Sequence, residues 1–278
     1  MTAALGNTRI GFVGGGNMAR ALIAGLLRGE VRATDVAVGE PLAAARDALA
    51  HDFGVRATAD NAAAVSGADV VVLAVKPQEM ARVAAALAPA LGTARPLLLS
   101  IAAGIACADL ERWYAGRPVV RAMPNRPAFV GAGVTGLYAG SAVDPARRAL
   151  AEAVMRAAGA TVWVRREAEL DVVTALSGSG PAYFFLLGEA MAAAGAALGL
   201  EPETAERLAA ETLYGAGQLA HADPALAQQR VAVTSTGGTT EAALAAFAAG
   251  DFTGLVRRAV EAAAVRSAEL ARQFGAGG

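Results

Sequence analysis

Ile10-Gly11-Phe12-Val13-Gly14-Gly15-Gly16-Asn17-Met18-Ala19 is the stretch that decides how this chain folds. An apolar run suited to a strand ends at Val13, and apolar residues at helical spacing begin at Met18. Between them Gly14, Gly16 and Ala19 fit the G-x-G-x-x-[G/A] spacing of a dinucleotide-binding turn. The first glycine permits the tight turn, and the second lets backbone approach a pyrophosphate. The small third residue seats the helix on the strand, and the free N–H groups of the first helical turn, at Asn17 and Met18, attract phosphate. The alternative is a glycine-rich turn with no ligand, but the strand before it and the helix after it favour the nucleotide.

Working outward, the first half alternates short apolar runs with Ala-rich helical stretches. Arg9–Val13, Val36–Val38, Val70–Val75, Pro96–Ile101 and Val119–Ala122 read as strands, followed by Val134–Tyr138 and Thr161–Val164. Met18–Leu27, Pro41–Ala50, Glu79–Leu91, Asp109–Tyr114 and Pro145–Ala158 read as helices. Apolar strands separated by helices predict an α/β fold with a Rossmann-type, doubly wound parallel sheet covered on both faces.

The pattern then changes. Pro181–Leu198, Glu203–Ala220, Thr239–Ala249 and Phe252–Phe274 are Ala/Leu helices, punctuated by Gly199, Pro202, Asp223-Pro224 and Gly250-Asp251. The expected division is a dinucleotide-binding domain over residues 1–163 and an all-α domain over 164–278. A set of apolar helices without a sheet to pack on is expected to complete its core across a homodimer interface, with a larger homo-oligomer left open.

Composition narrows the function classes. The net charge is −1 and there is no basic run, which argues against a nucleic-acid partner. One cysteine, Cys107, excludes an intramolecular disulfide, and no metal site is expected. The start, Met1 to Arg9, lacks the basic head and apolar stretch of a signal peptide. The most membrane-like window, Pro181–Leu200, has Glu189 in its middle and owes its apolarity to Ala and Gly, as a helix packed between helices does. No membrane partner is expected, and the expected address is the cytoplasm.

Glu40 ends the second predicted strand, near the position where a carboxylate hydrogen-bonds the adenosine ribose and repels the 2′-phosphate of NADP. It also has a second reading, pointing to solvent or capping the next helix. Arg46, one turn on, is within reach of a phosphate. The choice between NADPH and NADH therefore stays open.

Five further strings lie along the chain: Ala74-Val75-Lys76-Pro77-Gln78, Ser100-Ile101-Ala102-Ala103-Gly104, Arg121-Ala122-Met123-Pro124-Asn125, Leu176-Ser177-Gly178-Ser179-Gly180-Pro181-Ala182-Tyr183 and Val233-Thr234-Ser235-Thr236-Gly237-Gly238-Thr239-Thr240. In this order and spacing the chain resembles pyrroline-5-carboxylate reductases from end to end, with the last two strings the specific ones. The resemblance implies hydride transfer from NADPH or NADH to the imine of 1-pyrroline-5-carboxylate, giving L-proline. It implies that Val75, Lys76 and Pro77 flank the cofactor, that Asn125 lies beside the nicotinamide, and that Asn61 lies near the adenosine. Ala102, Ala103 and Gly104 end a strand where a flat ring needs room. It assigns the substrate carboxylate to Ser235 and the amides around Gly238, Thr239 and Thr240, and sets the Thr240 hydroxyl against the ring nitrogen as the catalytic donor. Read without it, the segment is an ordinary Thr-rich helix start after a Gly turn.

Four residues depart from the family pattern: Arg126 in place of Thr, Thr236 in place of Pro, Ala193 in place of Asp and Glu211 in place of Gln. Two rival readings remain. One is a reductase of similar build acting on another imine or a 3-hydroxy acid; the latter predicts a Lys or His in the helical half, whereas Lys76 is the only lysine and lies in the first half. The other is a nucleotide-binding protein without turnover, which loss of Ser235 or Thr240 would have favoured.

Overall fold

The computed structural model describes residues 5–275, so Met1–Ala4 at the start of the chain lie outside it. Chain order runs β1 (Ile10–Val13), α1 (Asn17–Arg28), β2 (Val36–Gly39), α2 (Ala43–Phe53), β3 (Arg56–Thr58), α3 (Asn61–Val65), β4 (Val70–Leu73), α4 (Met80–Ala90), β5 (Leu97–Ser100) and α5 (Cys107–Trp113). It continues through β6 (Val119–Met123), β7 (Gly133–Ala139), α6 (Pro145–Arg156), β8 (Gly159–Trp163) and α7 (Glu169–Val173). A π-helical turn, Thr174–Gly178, leads to α8 (Gly180–Ala197), α9 (Pro202–Ala222), α10 (Leu226–Ala232), α11 (Thr239–Ala249) and α12 (Phe252–Gly275).

The eight strands form one sheet in the order β3-β2-β1-β4-β5-β6-β7-β8. Every residue of β1, β2, β4 and β5 is buried, as expected of parallel strands with helices on both faces. Side chains alternate between two cores. Ile10, Phe12, Val70 and Val72 join Leu22, Leu26 and Val154 on the face of α1 and α6. Val13, Val71, Leu73 and Leu98 join Val83, Leu87 and Leu110 on the face of α4 and α5.

The expected parallel sheet holds from β3 to β6. β7 then pairs antiparallel with β6, and β8 pairs parallel with β7, so the last two strands run against the rest. A 3₁₀ turn, Arg126–Val130, ending on Gly131 at φ 73°, is too short for a crossover helix and forces this reversal. β3, α3, α7 and α10 fall in stretches the sequence pattern leaves as connections; each is short, and β3 is a half-exposed edge strand.

By its internal contacts the chain forms two compact units. The first runs to Gly178 and takes in the chain again from Ala263; the second is Ser179–Ala262. The first therefore continues past the expected boundary at 163/164, because α7 packs on β7 with Val173 against Gly136. The last part of α12 also belongs to it, through Phe274 in the α4–α5 core and the Ser267 hydroxyl donating to Asp171 Oδ1 at 2.7 Å.

The second unit is α8 to α11 with the start of α12. Within it α8 packs along α9, yet the buried residues among these helices are only Gly180, Ala205 and Ala209. Phe184, Phe185, Leu186, Leu208 and Tyr214 all stand more than half exposed. Among the described residues the helical stretch Glu169–Ala197 is long and apolar enough to cross a bilayer, and only 17% of its most apolar window is buried.

Candidate active site

The glycine turn is built by its contacts with the neighbouring strands. Gly14 has φ 99°, and its N–H donates to Gly39 O at 2.8 Å. A side chain there would lie 2.7 Å from Ala74 O, so only glycine lets β1 leave the sheet between β2 and β4. Gly16 differs. It N-caps α1 with no side-chain cap, it is exposed, and a Cβ on it would meet nothing within 4 Å. The N–H groups of Asn17, Met18 and Ala19 have no preceding turn to bond to, so they are left unpaired at the positive end of a 12-residue helix. Such a cradle fits a pyrophosphate, and a Cβ at Gly16 would intrude on it. Ala19 is buried in the core below.

Glu40 follows β2 and is 8% exposed. Its carboxylate accepts the Gly15 N–H on Oε2 at 3.0 Å and the Leu42 N–H on Oε1 at 3.0 Å. Its side chain therefore turns back onto the glycine loop, and the solvent-facing reading is set aside. Arg46 Nη1 donates to the carbonyls of Glu40 and Pro41. Asn61 begins α3, its side chain against Gly39, and the neighbouring Asp60 caps that helix through the Ala62 N–H at 2.8 Å.

The carboxyl ends of β1, β4 and β5 lie level, since Val13 pairs with Leu73 and Leu73 with Ser100, and β6 runs two residues past Arg121, the partner of Ser100. This row sets Val75–Pro77, Ala102–Gly104 and Asn125 along the same edge as the glycine turn. Lys76 is exposed and makes no ion pair among the described residues, and Pro77 opens a 3₁₀ turn. Of the small residues after β5, Ala102 is buried and Ala103 is exposed. Gly104 has φ 76°, and the space beside it is taken by Phe274 and Ala271 of α12, which accounts for its missing side chain.

Asn125 holds a structural junction. Its Nδ2 donates to Ser177 O at 3.0 Å, and its Oδ1 accepts the Val134 N–H at 2.9 Å. One side chain thus ties the end of β6 to β7 and to the π-helical turn, leaving one amide hydrogen and one acceptor lone pair for a ligand. Neighbouring Arg126 is exposed, with its guanidinium 5.8 Å from the Phe129 ring centroid.

The second unit carries the other cluster. Gly237, at φ 71°, donates its N–H to Glu241 Oε2 at 2.7 Å, and the Gly238 N–H is committed to Ser235 O at 3.0 Å. The free donors of α11 are therefore the N–H groups of Thr239, Thr240 and Glu241, rather than that of Gly238. Gly238 caps α11 with no side chain, the Ser235 Oγ lies over it, and the hydroxyls of Ser235, Thr239 and Thr240 have no partner among the described residues. Three unpaired amides and three hydroxyls thus stand at the start of an 11-residue helix, donors of the kind an anion takes.

Comparison with known proteins gives the family. The description "Pyrroline-5-carboxylate reductase dimerisation" matches residues 167–270, and "NADP oxidoreductase coenzyme F420-dependent" matches residues 9–104. The chain is 50% identical over 271 residues to a pyrroline-5-carboxylate reductase of Pseudomonas aeruginosa, covering 96% of this chain and 98% of that one. The chain belongs to the pyrroline-5-carboxylate reductase family. A solved pyrroline-5-carboxylate reductase from Coxiella burnetii is 41% identical, with a TM-score of 0.91 over 95% of this chain and 98% of that one. A Plasmodium falciparum pyrroline carboxylate reductase, solved with NADP bound, is 26% identical, with a TM-score of 0.82 over 96% and 100%.

Three features of this family member go beyond the sequence reading. The grip of Asn125 on Ser177 has no local signal, because the partners are 52 residues apart. The second is Glu241, at the position of the acidic half of a capping box, which accepts the N–H of Gly237 rather than that of the N-cap Gly238. The third is the setting of Cys107, whose N–H donates to Glu167 Oε1 at 2.6 Å beside the Arg121–Glu167 ion pair at 2.7 Å. Burial first, then the charge of Glu167, pushes the Cys107 thiol far above its ordinary range, so thiolate chemistry has no place here. His51 and His221 are both exposed.

Proposed function

We propose that this chain reduces 1-pyrroline-5-carboxylate to L-proline with a reduced nicotinamide dinucleotide. The observation that carries the reading is the 50% identity to a pyrroline-5-carboxylate reductase of a chain that has both an uncapped glycine-turn cradle and an uncapped hydroxyl-rich helix start. When bound, the nicotinamide supplies the hydride. The chain's own residues bind and orient. The amides of Asn17 and Met18 hold the pyrophosphate beside Gly14 and Gly16, and Ala19 keeps the helix close. Glu40 and Asn61 take the adenosine end. Val75, Lys76 and Pro77, with Ala102, Ala103 and Asn125, line the edge along which the nicotinamide lies, whereas Gly104 gives its space to α12.

Ser235 and the amides of Thr239 and Thr240 take the substrate carboxylate, and Gly238 keeps the approach open. The Thr240 hydroxyl faces the ring nitrogen and donates the hydrogen bond that makes the imine carbon electrophilic, and the nitrogen takes its proton from solvent as the hydride reaches carbon. No buried acid or histidine is required, because an imine needs orientation and one donor rather than a base to strip a hydroxyl proton.

A homodimer completes the site and covers the helices. The apolar side chains of Phe184, Phe185 and Leu186 face three successive directions around α8, so one neighbour within the unit cannot bury them all. The Ala-lined groove between α8 and α9, bordered by Glu189 and Glu206, favours close helix packing by a second copy over lipid. The proposed address is the cytoplasm, in keeping with a lone buried thiol. The test is purified protein mixed with 1-pyrroline-5-carboxylate and either reduced cofactor. Loss of nicotinamide absorbance with matching L-proline supports the reading, and silence with both cofactors removes it.

A further inference from the structure

The way Glu40 is held says more about the cofactor than its position in sequence does. We propose that Glu40 makes this chain select NADH over NADPH; the inference rests on the proposed docking of a nicotinamide dinucleotide at the glycine turn. A carboxylate at a strand end is often mobile enough to swing from a 2′-phosphate. This one is clamped from both sides, with the Gly15 N–H on one oxygen and the Leu42 N–H on the other, each at 3.0 Å. The clamp holds the acid against the same loop whose next residue, Gly16, opens on the pyrophosphate cradle.

Each carboxylate oxygen keeps a second lone-pair site after accepting one backbone N–H. Two fixed acceptors side by side match the two hydroxyls of an adenosine ribose. The same two oxygens meet a 2′-phosphate as a fixed negative charge, and at 8% exposure little water screens them.

The nearby arginines are each held in position by a backbone carbonyl or an acid. Arg46 Nη1 is bound to the carbonyls of Glu40 and Pro41 at 2.9 and 2.8 Å. Arg56, in the neighbouring strand β3, donates to Ala63 O at 3.0 Å. Arg20 is paired with Asp52. A second acid stands close by: the Glu40 N–H donates to Thr58 O, and Asp60 lies two residues further along. The Glu40 carboxylate is held in place by backbone hydrogen bonds rather than by side-chain chance.

The experiment is equilibrium titration of the full chain with NADH and with NADPH, followed by nicotinamide fluorescence, with no substrate present. The wild type is expected to bind NADH at least about tenfold more tightly than NADPH, a difference of about 1.4 kcal/mol. Glu40→Gln keeps the shape but not the charge, so the ratio should fall toward one. Glu40→Asp keeps the charge and should keep the preference. Arg46→Met should change the two affinities alike. Equal wild-type affinities, tighter NADPH, an unchanged ratio in Glu40→Gln, or selective loss of NADPH in Arg46→Met would each overturn the proposal. No binding of either cofactor is a different failure, since it removes the dinucleotide reading on which the selectivity rests.

Discussion

Gly14 and Gly16 sit two residues apart in the same turn, yet substituting each by alanine should break different things. At Gly14, φ is 99°, where a side chain costs about 1–2 kcal/mol. The new Cβ would also stand 2.7 Å from Ala74 O, backbone that cannot swing aside, and overpacking of this kind costs about 1–3 kcal/mol. Gly14→Ala should therefore destabilise the fold by about 3 kcal/mol, lowering the melting temperature by roughly 6–12 °C at about 2–4 °C per kcal/mol. At Gly16, φ is −66° and no atom lies within 4 Å of the added methyl. The loss there is a poorer helix cap, less than about 1 kcal/mol. Binding should reverse the order of harm for the folded proteins. A methyl at Gly16 stands where the pyrophosphate approaches, so Gly16→Ala should weaken dinucleotide binding at least about tenfold, or 1.4 kcal/mol. Thermal melts followed by fluorescence titration test the pair. A Gly16→Ala protein that melts and binds like wild type would refute the claim that this open face receives the cofactor.

The remaining expectations concern both units. Thr240→Ala should lower kcat at least tenfold with cofactor affinity unchanged, and Thr240→Ser should restore most of it; steady-state kinetics beside cofactor titration reads the difference. Leu186→Glu puts a charge on an exposed apolar face and should shift the sedimentation of the protein from dimer to monomer. Asn125→Ala leaves the Val134 N–H and the Ser177 carbonyl without their partner and should cost about 1–3 kcal/mol in denaturant unfolding, whatever it does to turnover. Glu152 is held below the ordinary carboxylate range, first by the Trp163 indole N–H at 3.1 Å and then by Arg156. Its stabilising contribution should be complete above the unfolded pKa of about 4.3 and fade as pH falls through the lower folded value. Unfolding curves of wild type and Glu152→Gln should therefore converge toward low pH.

What the sequence makes legible follows from burial. β1 and β4 stand out because both their faces are covered, which demands unbroken apolar runs such as Val70-Val71-Val72-Leu73. β3 has only three residues, begins with an exposed Arg56 and relies on its pairing to β2, so composition alone does not mark it. The direction of β7 is not written in its own residues, which suit either orientation; the short 3₁₀ link before it decides. At the site, Gly14, Gly16 and Glu40 were legible because turn geometry and strand-end position restrict residue type. The committed amide of Gly238 was not, since its partner Ser235 O is set by the loop's own fold. The space beside Gly104 reads in sequence as room for a flat ring, whereas α12 fills it from some 170 residues away along the chain.

Isotope transfer reaches the centre of this account more directly than rate does. With cofactor carrying deuterium at the transferable position of the nicotinamide, 1-pyrroline-5-carboxylate should yield L-proline bearing one deuterium on the ring carbon that was double-bonded to nitrogen. Proline without label, or label left wholly on the cofactor after a full incubation, would contradict it.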